Sequence, residues 1–448
     1  MGEFFGTDGI RGAFGQHPIT PEFAVKVGRA AARFFDQKDK TGIVIGKDTR
    51  YSGKLLESAL VTGITGMGVD VYLTGVLPTP GIAFITSNRN ASAGIVISAS
   101  HNPYYDNGIK LFDAKGCKLS EDDETAIETI IKNDKPANMN KSNKDAGLVY
   151  SADQSPQQYQ AFLRKCVSEH LSLSGMKIII DCSNGATYQV APGILKSLGA
   201  QVMSLNISPN GRNINDACGS EYPETLAEQV KTTAADVGLA FDGDGDRLIA
   251  VDEKGNILTG DQLMVVFAAD MHEHGGLTNQ TIVTTVMSNM GFRVCMENLG
   301  INHVTAGVGD RRVMEKMLSV NAVLGGENSG HMIFRKFHTT GDGLLSALLL
   351  LNILSDKRKL LSELAAIMSV FPQTLLNVTV KQKPEITSVA AVRKIIRAVE
   401  KKLSKKGRVL VRYSGTQPLC RVMVEAPSQQ DADKSAQRIA TVIEKELG

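Results

Sequence analysis

The chain has 448 residues, 42% apolar and 21% charged, a size beyond one ordinary core and a composition that predicts several globular domains. With 49 basic and 47 acidic side chains the net charge is +2, which gives no electrostatic basis for a nucleic-acid or membrane-surface partner. The start, Met1-Gly2-Glu3-Phe4-Phe5, lacks the basic and apolar run of a signal peptide, and the longest apolar stretch, 344–354, falls short of the roughly 20 residues that span a bilayer.

Strand-like and helix-like stretches then alternate, the signature of α/β layers. The first stretch opens with Phe5-Gly6-Thr7-Asp8-Gly9-Ile10-Arg11-Gly12, where Arg11 between glycines is able to approach a phosphate closely. Periodicity predicts a helix over 21–35, a strand over 43–45, a helix over 55–67 and strands over 69–73 and 94–98, closing in a polar exposed linker over 132–145. The strand at 94–98 runs into Ser98-Ala99-Ser100-His101-Asn102-Pro103, with Ser100 at the tip. Serine is a weak nucleophile unless a base or metal assists it, and Lys110, after Asn107-Gly108-Ile109, offers an amine. The Ser-His neighbours do not read as a hydrolase, because no G-x-S-x-G elbow is present.

The second stretch predicts a helix over 156–166 and a buried strand over 177–180, and closes on Asp242-Gly243-Asp244-Gly245-Asp246-Arg247 between apolar runs at 237–241 and 248–251. Three carboxylates spaced by glycine repel one another unless a hard divalent ion shares the loop, and Mg²⁺, which pairs protein carboxylates with phosphate oxygens, fits best. A calcium-binding helix-loop-helix is the rival, since Glu253 falls on its twelfth position. It is disfavoured because Arg247 occupies the sixth position, where glycine is needed, and a strand-like run follows.

In the third stretch a helix begins at 260, a strand covers 281–285, and helices cover 344–354 and 361–368. Its loop Gly325-Gly326-Glu327-Asn328-Ser329-Gly330-His331 offers a carboxylate, a hydroxyl and an imidazole, suited to hydroxyl recognition and proton transfer. Polar, glycine-containing loops at 46–50, 181–185 and 307–311 suit ligand binding at strand ends and hint at a diverged repeat. After Pro372 the pattern turns α+β, with strands at 379–380, 408–412 and 419–425 and helices at 389–403 and 431–447. There Arg412-Tyr413-Ser414-Gly415-Thr416-Gln417-Pro418 resembles an anion cradle between strands. The fold class is thus α/β, three similar mixed-sheet domains (1–152, 153–254, 255–370) followed by an α+β domain (371–448). Six cysteines without CxxC spacing suggest neither a zinc cluster nor a disulfide framework and fit a reducing cytoplasm.

Taken in order, FGTDGIRG, SASHNP with NGIK, DGDGDR, GENSGH and RYSGT resemble the phosphohexomutase superfamily along the whole chain. Within it, the N-terminal motif and the segment from Asn213 to Ser220 are most similar to the bacterial phosphoglucosamine mutases. The resemblance implies four domains around a central cleft and reversible conversion of glucosamine 6-phosphate to glucosamine 1-phosphate, on the route to UDP-N-acetylglucosamine and cell-wall precursors. It implies that Ser100 carries the phosphoryl group, that one Mg²⁺ is held by Asp242, Asp244, Asp246 and a phosphoserine oxygen, and that glucosamine 1,6-bisphosphate is the intermediate. Lys110 and His331 are then the proton-transfer groups, and Arg11, His101 and Arg247 support the reacting phosphate. Gly307, Glu327 and Ser329 contact the sugar, and Arg412, Ser414, Gly415, Thr416 and Arg421 grip the other phosphate. Gln417 departs from the family's usual glutamate, with a modest effect on substrate orientation expected. A glucose or mannose phosphate mutase is the nearest alternative; a phosphatase and a non-catalytic calcium-binding or sugar-phosphate sensor are more distant ones. The expected partner is a small sugar phosphate; a homodimer is compatible, though the sequence does not give the oligomeric state.

Overall fold

The structure is a computed structural model that describes residues 2–6, 8–35, 41–134, 145–414 and 418–448, with only the backbone of Lys405. Two compact units are present, Met1–Met287 with Ile301–Ala366, and Ser288–Gly300 with Ile367–Gly448.

The first unit holds three mixed sheets. One contains β1 (Ile10–Ala13), β2 (Ile43–Lys47), β3 (Val71–Val76), β4 (Ala93–Ile97), β5 (Asp106–Asp113) and β6 (Val149–Ser151), in the order β1-β5-β4-β2-β3-β6. The next contains β7 (Lys177–Asp181), β8 (Gln201–Leu205), β9 (Val237–Phe241), β10 (Leu248–Val251) and β11 (Ile257–Leu258), in the order β11-β10-β9-β7-β8. The third contains β12 (Thr281–Thr285), β13 (Asn302–Ala306), β14 (Leu324–Gly326) and β15 (Met332–Phe334), in the order β13-β12-β14-β15.

A four-strand repeat underlies all three. In each, a central strand (β2, β7, β12) pairs in parallel with the next strand on one side and the one after it on the other, and a fourth strand returns antiparallel. The connection from third to fourth strand therefore lies at the carboxyl end of the parallel strands, where α/β sheets bind ligands. It carries Ser100 in the first repeat, Asp242 to Arg247 in the second and Glu327 to His331 in the third. The loops at 46–50 and 181–185 follow the central strand, whereas 307–311 follows the second, so the sequence-based repeat aligned unlike positions.

The central strands β2 and β12 are wholly buried and β7 is buried after Lys177, as parallel strands covered on both faces must be, and Ile43, Val44 and Ile45 expose nothing. The first sheet's core also takes in Phe23, Val27 and Ala31 from the helix Pro21–Phe34, whose start is set by Thr20, capping the Phe23 N–H at 3.2 Å, and by Pro21 in the first turn. The helix Gly343–Lys357 is the buried apolar helix expected at 344–354.

In the second unit β16 (Gln373–Thr379), β17 (Arg408–Tyr413) and β18 (Leu419–Glu425) form an antiparallel sheet in the order β16-β18-β17, backed by helices Ala390–Leu403 and Gln429–Leu447. The first strand lies earlier than the expected 379–380, because half-buried and exposed positions alternate along it, only Val378 is buried, and its sequence lacks a continuous apolar run. The helix Met290–Leu299, which the sequence pattern did not predict, belongs to this unit: Asn289 exchanges hydrogen bonds with Phe371, and the Met290 N–H donates to Glu425 at 2.9 Å. Of the linker expected over 132–145, Lys132 ends the helix Glu121–Lys132, and 135–144 lie outside the described residues.

Candidate active site

Ser100 sits on the connection from β4 to β5 with φ of +51°, a left-handed conformation that a serine adopts only when its surroundings impose it. The Ser100 N–H donates to Ser98 Oγ at 3.0 Å, Ser98 Oγ donates to Asp48 at 2.5 Å, and Asp48 pairs with Arg50 at 2.8 Å. Buried Arg50 donates to the carbonyls of Ser100, Asn102 and Asp106 at 2.9, 2.7 and 3.0 Å and also to that of Pro103. The polar loop at 46–50 thus turns inward and holds the serine loop, where the sequence suggested ligand binding. The loop at 181–185 is likewise spent on the fold: Asp181 accepts the N–H groups of Ser183 and Gly219 at 2.8 and 3.0 Å.

Ser100 Oγ donates to Asp242 Oδ2 at 2.6 Å, so the first two repeats meet at this hydroxyl. One oxygen from each of Asp242, Asp244 and Asp246 lies within 4.8 Å of the others, all three residues buried. Burial, with Asp246 and Asp244 adding, pushes the Asp242 carboxyl well above the usual range. Burial also penalises Asp244 and Asp246, but Lys110 and Thr79 at the former, and His331 and Lys110 at the latter, hold both below it. Asp244 accepts from Thr79 Oγ1 at 2.6 Å and Lys110 Nζ at 2.7 Å. Oδ1 of Asp244 and Oδ1 of Asp246 are buried with no hydrogen-bond partner among the described residues. Hard oxygen donors, unpartnered and mutually repelling, fit Mg²⁺. Glu253 accepts from Ser362 and takes no part in a calcium loop.

Cations surround this acidic centre. Lys110 Nζ lies 3.0 Å from Asp8 and 3.8 Å from Asp246 besides its bond to Asp244; burial disfavours its charge, but the carboxylates prevail and hold the amine protonated above its usual range. Arg11 is on β1 itself, pairs with Asp8, and leaves Nε buried without a partner among the described residues. Arg247 pairs with Glu221 at 3.0 Å, and its Nε, 4.0 Å from Asp246 Oδ1, makes no hydrogen bond among the described residues. His101 Nδ1 is 3.3 Å from Ser100 Oγ; burial and then Arg247 lower its pKa, favouring a neutral ring. Lys118, which the sequence gave no reason to single out, bridges Asp8 and Asp310.

His331 turns Nδ1 toward Asp246 at 3.5 Å, while Nε2 accepts the Gly341 N–H at 3.2 Å. A side chain at Gly341 would strike the imidazole, since its Cβ would lie 2.4 Å from Nε2. Both ring nitrogens are therefore engaged. Glu327 accepts the Gly309 N–H at 3.0 Å, next to exposed Gly307, and Ser329 Oγ is buried without a partner among the described residues. The second and third repeats are stitched together here, with Leu248 N donating to Gly330 O at 3.0 Å and Arg247 bridging His331.

In the second unit Arg412 and Tyr413 end β17, so they do not belong to the loop as the sequence suggested. Arg412 lies directly opposite Arg421 of β18. Burial and the Arg421 charge both lower the pKa of Arg412. Neither arginine makes an ion pair among the described residues, whereas Arg408 and Glu425, opposite one another four residues away, pair at 3.0 Å. Lys383 Nζ donates to Ser414 O at 2.7 Å. Gly415 and Thr416, and the departure at Gln417, lie outside the described residues.

Family models described as Phosphoglucomutase/phosphomannomutase match residues 2–138 (alpha/beta/alpha domain I), 157–255 (domain II), 259–371 (domain III) and 375–442 (C-terminal domain). The chain belongs to the phosphoglucomutase/phosphomannomutase family of phosphohexomutases. Curated members similar to it over 100% of its length are the phosphoglucosamine mutases of Syntrophus aciditrophicus, 52% identical over 100% of that protein, and Syntrophotalea carbinolica, 50% identical over 98%. A family protein from Burkholderia thailandensis shares the fold at a TM-score of 0.81 and 24% identity, covering 99% of this chain and 98% of that one. Aspergillus fumigatus N-acetylphosphoglucosamine mutase, solved with GlcNAc-6P and magnesium, shares it at 0.69 and 17%, covering 99% and 96%. In this phosphohexomutase the sequence missed Arg50, Thr79, Asp8 and Asn215. Asp8, Arg50 and Asn215 each lay in a segment the sequence singled out without being assigned a role, whereas Thr79, at the start of the helix Thr79–Asn88, carried no signal.

Proposed function

We propose that this chain is a phosphoglucosamine mutase that interconverts glucosamine 6-phosphate and glucosamine 1-phosphate through phosphorylated Ser100 and glucosamine 1,6-bisphosphate. The observation that carries this reading is Ser100 Oγ, 2.6 Å from Asp242, within a buried cluster of three carboxylates. The full-length likeness to curated phosphoglucosamine mutases supports the amino sugar as substrate. We assign four domains, 1–152, 153–254, 255–370 and 371–448, a cytoplasmic setting, and a small sugar phosphate as partner. No described helix is long and apolar enough to cross a membrane.

Asp242, Asp244 and Asp246, with an oxygen of phosphorylated Ser100, would hold one Mg²⁺ per chain, whose charge would offset that developing on the transferring phosphoryl group. The chain's own groups do the rest. The P–Oγ bond of phosphoserine breaks as a P–O bond forms to the C1 oxygen, the C1 hydroxyl giving up its proton and Ser100 Oγ taking one up, and the second transfer reverses this at Ser100. The bisphosphate then turns over, and the C6 oxygen regains a proton as its phosphoryl group returns to Ser100. Lys110, held protonated, supplies positive charge and a transferable proton. His331 is the second proton-transfer group we assign, and it must give up the Gly341 N–H or Asp246 to act. Arg11, Arg247 and His101 steady the reacting phosphate. Glu327, Ser329 and the Gly307 backbone take sugar hydroxyls. Arg412, Arg421, Ser414, Gly415 and Thr416 take the phosphate that does not react.

Purified protein is tested on glucosamine 6-phosphate, glucose 6-phosphate and mannose 6-phosphate, with intact mass read for one phosphoryl group on Ser100. The amino sugar should give the highest kcat/KM. A preference for glucose or mannose phosphate contradicts the substrate assignment, and release of inorganic phosphate at the turnover rate would make the protein a phosphatase.

A further inference from the structure

The segment between β8 and the helix Glu224–Thr233 crosses from the second repeat to the serine loop of the first. Its backbone is forced at several points, with left-handed φ at Asn206 (52°), Asn215 (58°) and Ala217 (48°). The strap is anchored to both repeats: within the second, the Asn184 N–H donates to Asn206 O at 2.7 Å and the Asn215 N–H donates to Ser183 O at 2.9 Å, and from the first the Tyr51 N–H donates to Gly211 O at 2.9 Å. From this strap the Asn215 amide donates to Ser100 O at 2.8 Å and to Asn102 O at 3.0 Å. These are carbonyls that Arg50 also bonds, from the other repeat.

The metal loop closes the same contact. A Cβ on Gly243 would lie 2.6 Å from Ser100 O and 2.7 Å from Asn215 Nδ2, so serine loop, strap and metal loop meet where there is no room for a methyl group. Arg50 satisfies the Ser100 and Asn102 carbonyls whether or not Asn215 is present. The amide is therefore superfluous for hydrogen-bond satisfaction, and what it adds is a fixed distance between two repeats.

We propose that Asn215 is a positioning residue for phosphoryl transfer, a strap-borne amide that locks the Ser100 backbone, and hence its phosphorylated oxygen, against the Asp242 loop. It touches no reacting atom and acts through the Ser100 and Asn102 carbonyls. This inference rests on the mutase reading.

The full-length Asn215→Leu variant keeps the side-chain shape and loses both donors. Its kcat should fall by about tenfold to a hundredfold, as sub-ångström misplacement of reacting groups does, with KM for the sugar phosphate unchanged within about twofold. The ³¹P resonance of phosphorylated Ser100 without sugar should respond less to added Mg²⁺ than in the parent. A kcat within about twofold of the parent, a loss carried wholly by KM, or an unchanged ³¹P response overturns the proposal. If the leucine variant does not fold, Asn215→Asp carries the same expectations, and failure of both to fold shows that Asn215 holds the fold, not the serine, which also overturns it. A parent that turns over no hexose phosphate would sink the mutase reading instead, while the ³¹P comparison would still decide the role of Asn215.

Discussion

The two units of the molecule each gather like charges, and they treat them differently. In the first, three buried carboxylates are interleaved with Lys110, Arg247 and His331, yet two carboxylate oxygens accept no hydrogen bond among the described residues. In the second, Arg412 and Arg421 face one another across a strand pair with no carboxylate ion pair to either among the described residues, although the same strands pair Arg408 with Glu425 four residues away. The same ladder thus neutralises one charged rung and leaves another, four residues on, without an ion pair among the described residues, which is the ground for proposing an anionic ligand there. On the proposed reading, the half-neutralised acidic centre accepts a cation beside a cationic cluster that meets phosphate, and the arginine rung takes its counter-charge from the substrate.

This contrast is broken most severely at the hydroxyl that joins the acidic centre to chemistry. Ser100→Ala should abolish turnover, by at least about a thousandfold, and remove the phosphoryl group seen by intact mass; full activity would remove the phosphoserine scheme altogether. Next in size, Asp246→Asn leaves Lys110 and His331 in place but removes one ligand and one charge. Mg²⁺ affinity by calorimetry should drop by about tenfold to a hundredfold, and unchanged affinity would mean that Asp246 is not a ligand.

Arg421→Ala sharpens the other half. KM for the sugar phosphate should rise by about tenfold to a hundredfold, the worth of charge-assisted hydrogen bonds to phosphate. Thermal stability should stay level or rise by up to about 1 kcal/mol, because like charges directly opposite are destabilising. A marked loss of stability would show that the arginine rung serves the fold. The smallest effect concerns a carboxyl outside both clusters. Asp342 caps the helix Gly343–Lys357, accepts from Tyr159 at 2.8 Å, and is pushed up to about 7, chiefly by burial. The folded state thus holds a proton that the unfolded state has already lost. The stabilisation this gives is complete below the unfolded value of 3.8 and is lost as pH rises through about 7. Relative to the parent, Asp342→Asn should therefore gain melting temperature at pH 8 over pH 5, and a gain of the opposite sign would refute the burial of a charged Asp342 at high pH.

Much of this was legible in the chain. The strand ends at Phe241 and Leu248 were read to the residue, because wholly apolar runs stop abruptly at Asp242 and after Arg247. Ser100, the three aspartates, Glu327 and His331 were visible because each fills a short polar loop after an apolar strand. Their shared place in one repeated connection was not, since β5 and β15 carry little periodic signal and the antiparallel return is a property of pairing, not of composition. Arg50 was misread for a physical reason: a polar loop at a strand end looks the same whether its groups face a ligand or a neighbouring loop. Asn215 was noticed as part of a family-like segment, but its reach to Ser100 depends on left-handed turns that bring distant residues together.

The central claim is that the acidic loop is half a metal site, completed by a phosphate oxygen on Ser100. Calorimetric titration of Mg²⁺ into the Ser100-phosphorylated and the dephosphorylated protein tests it directly. The phosphorylated form should bind the ion more tightly; equal affinities for the two forms would contradict the claim.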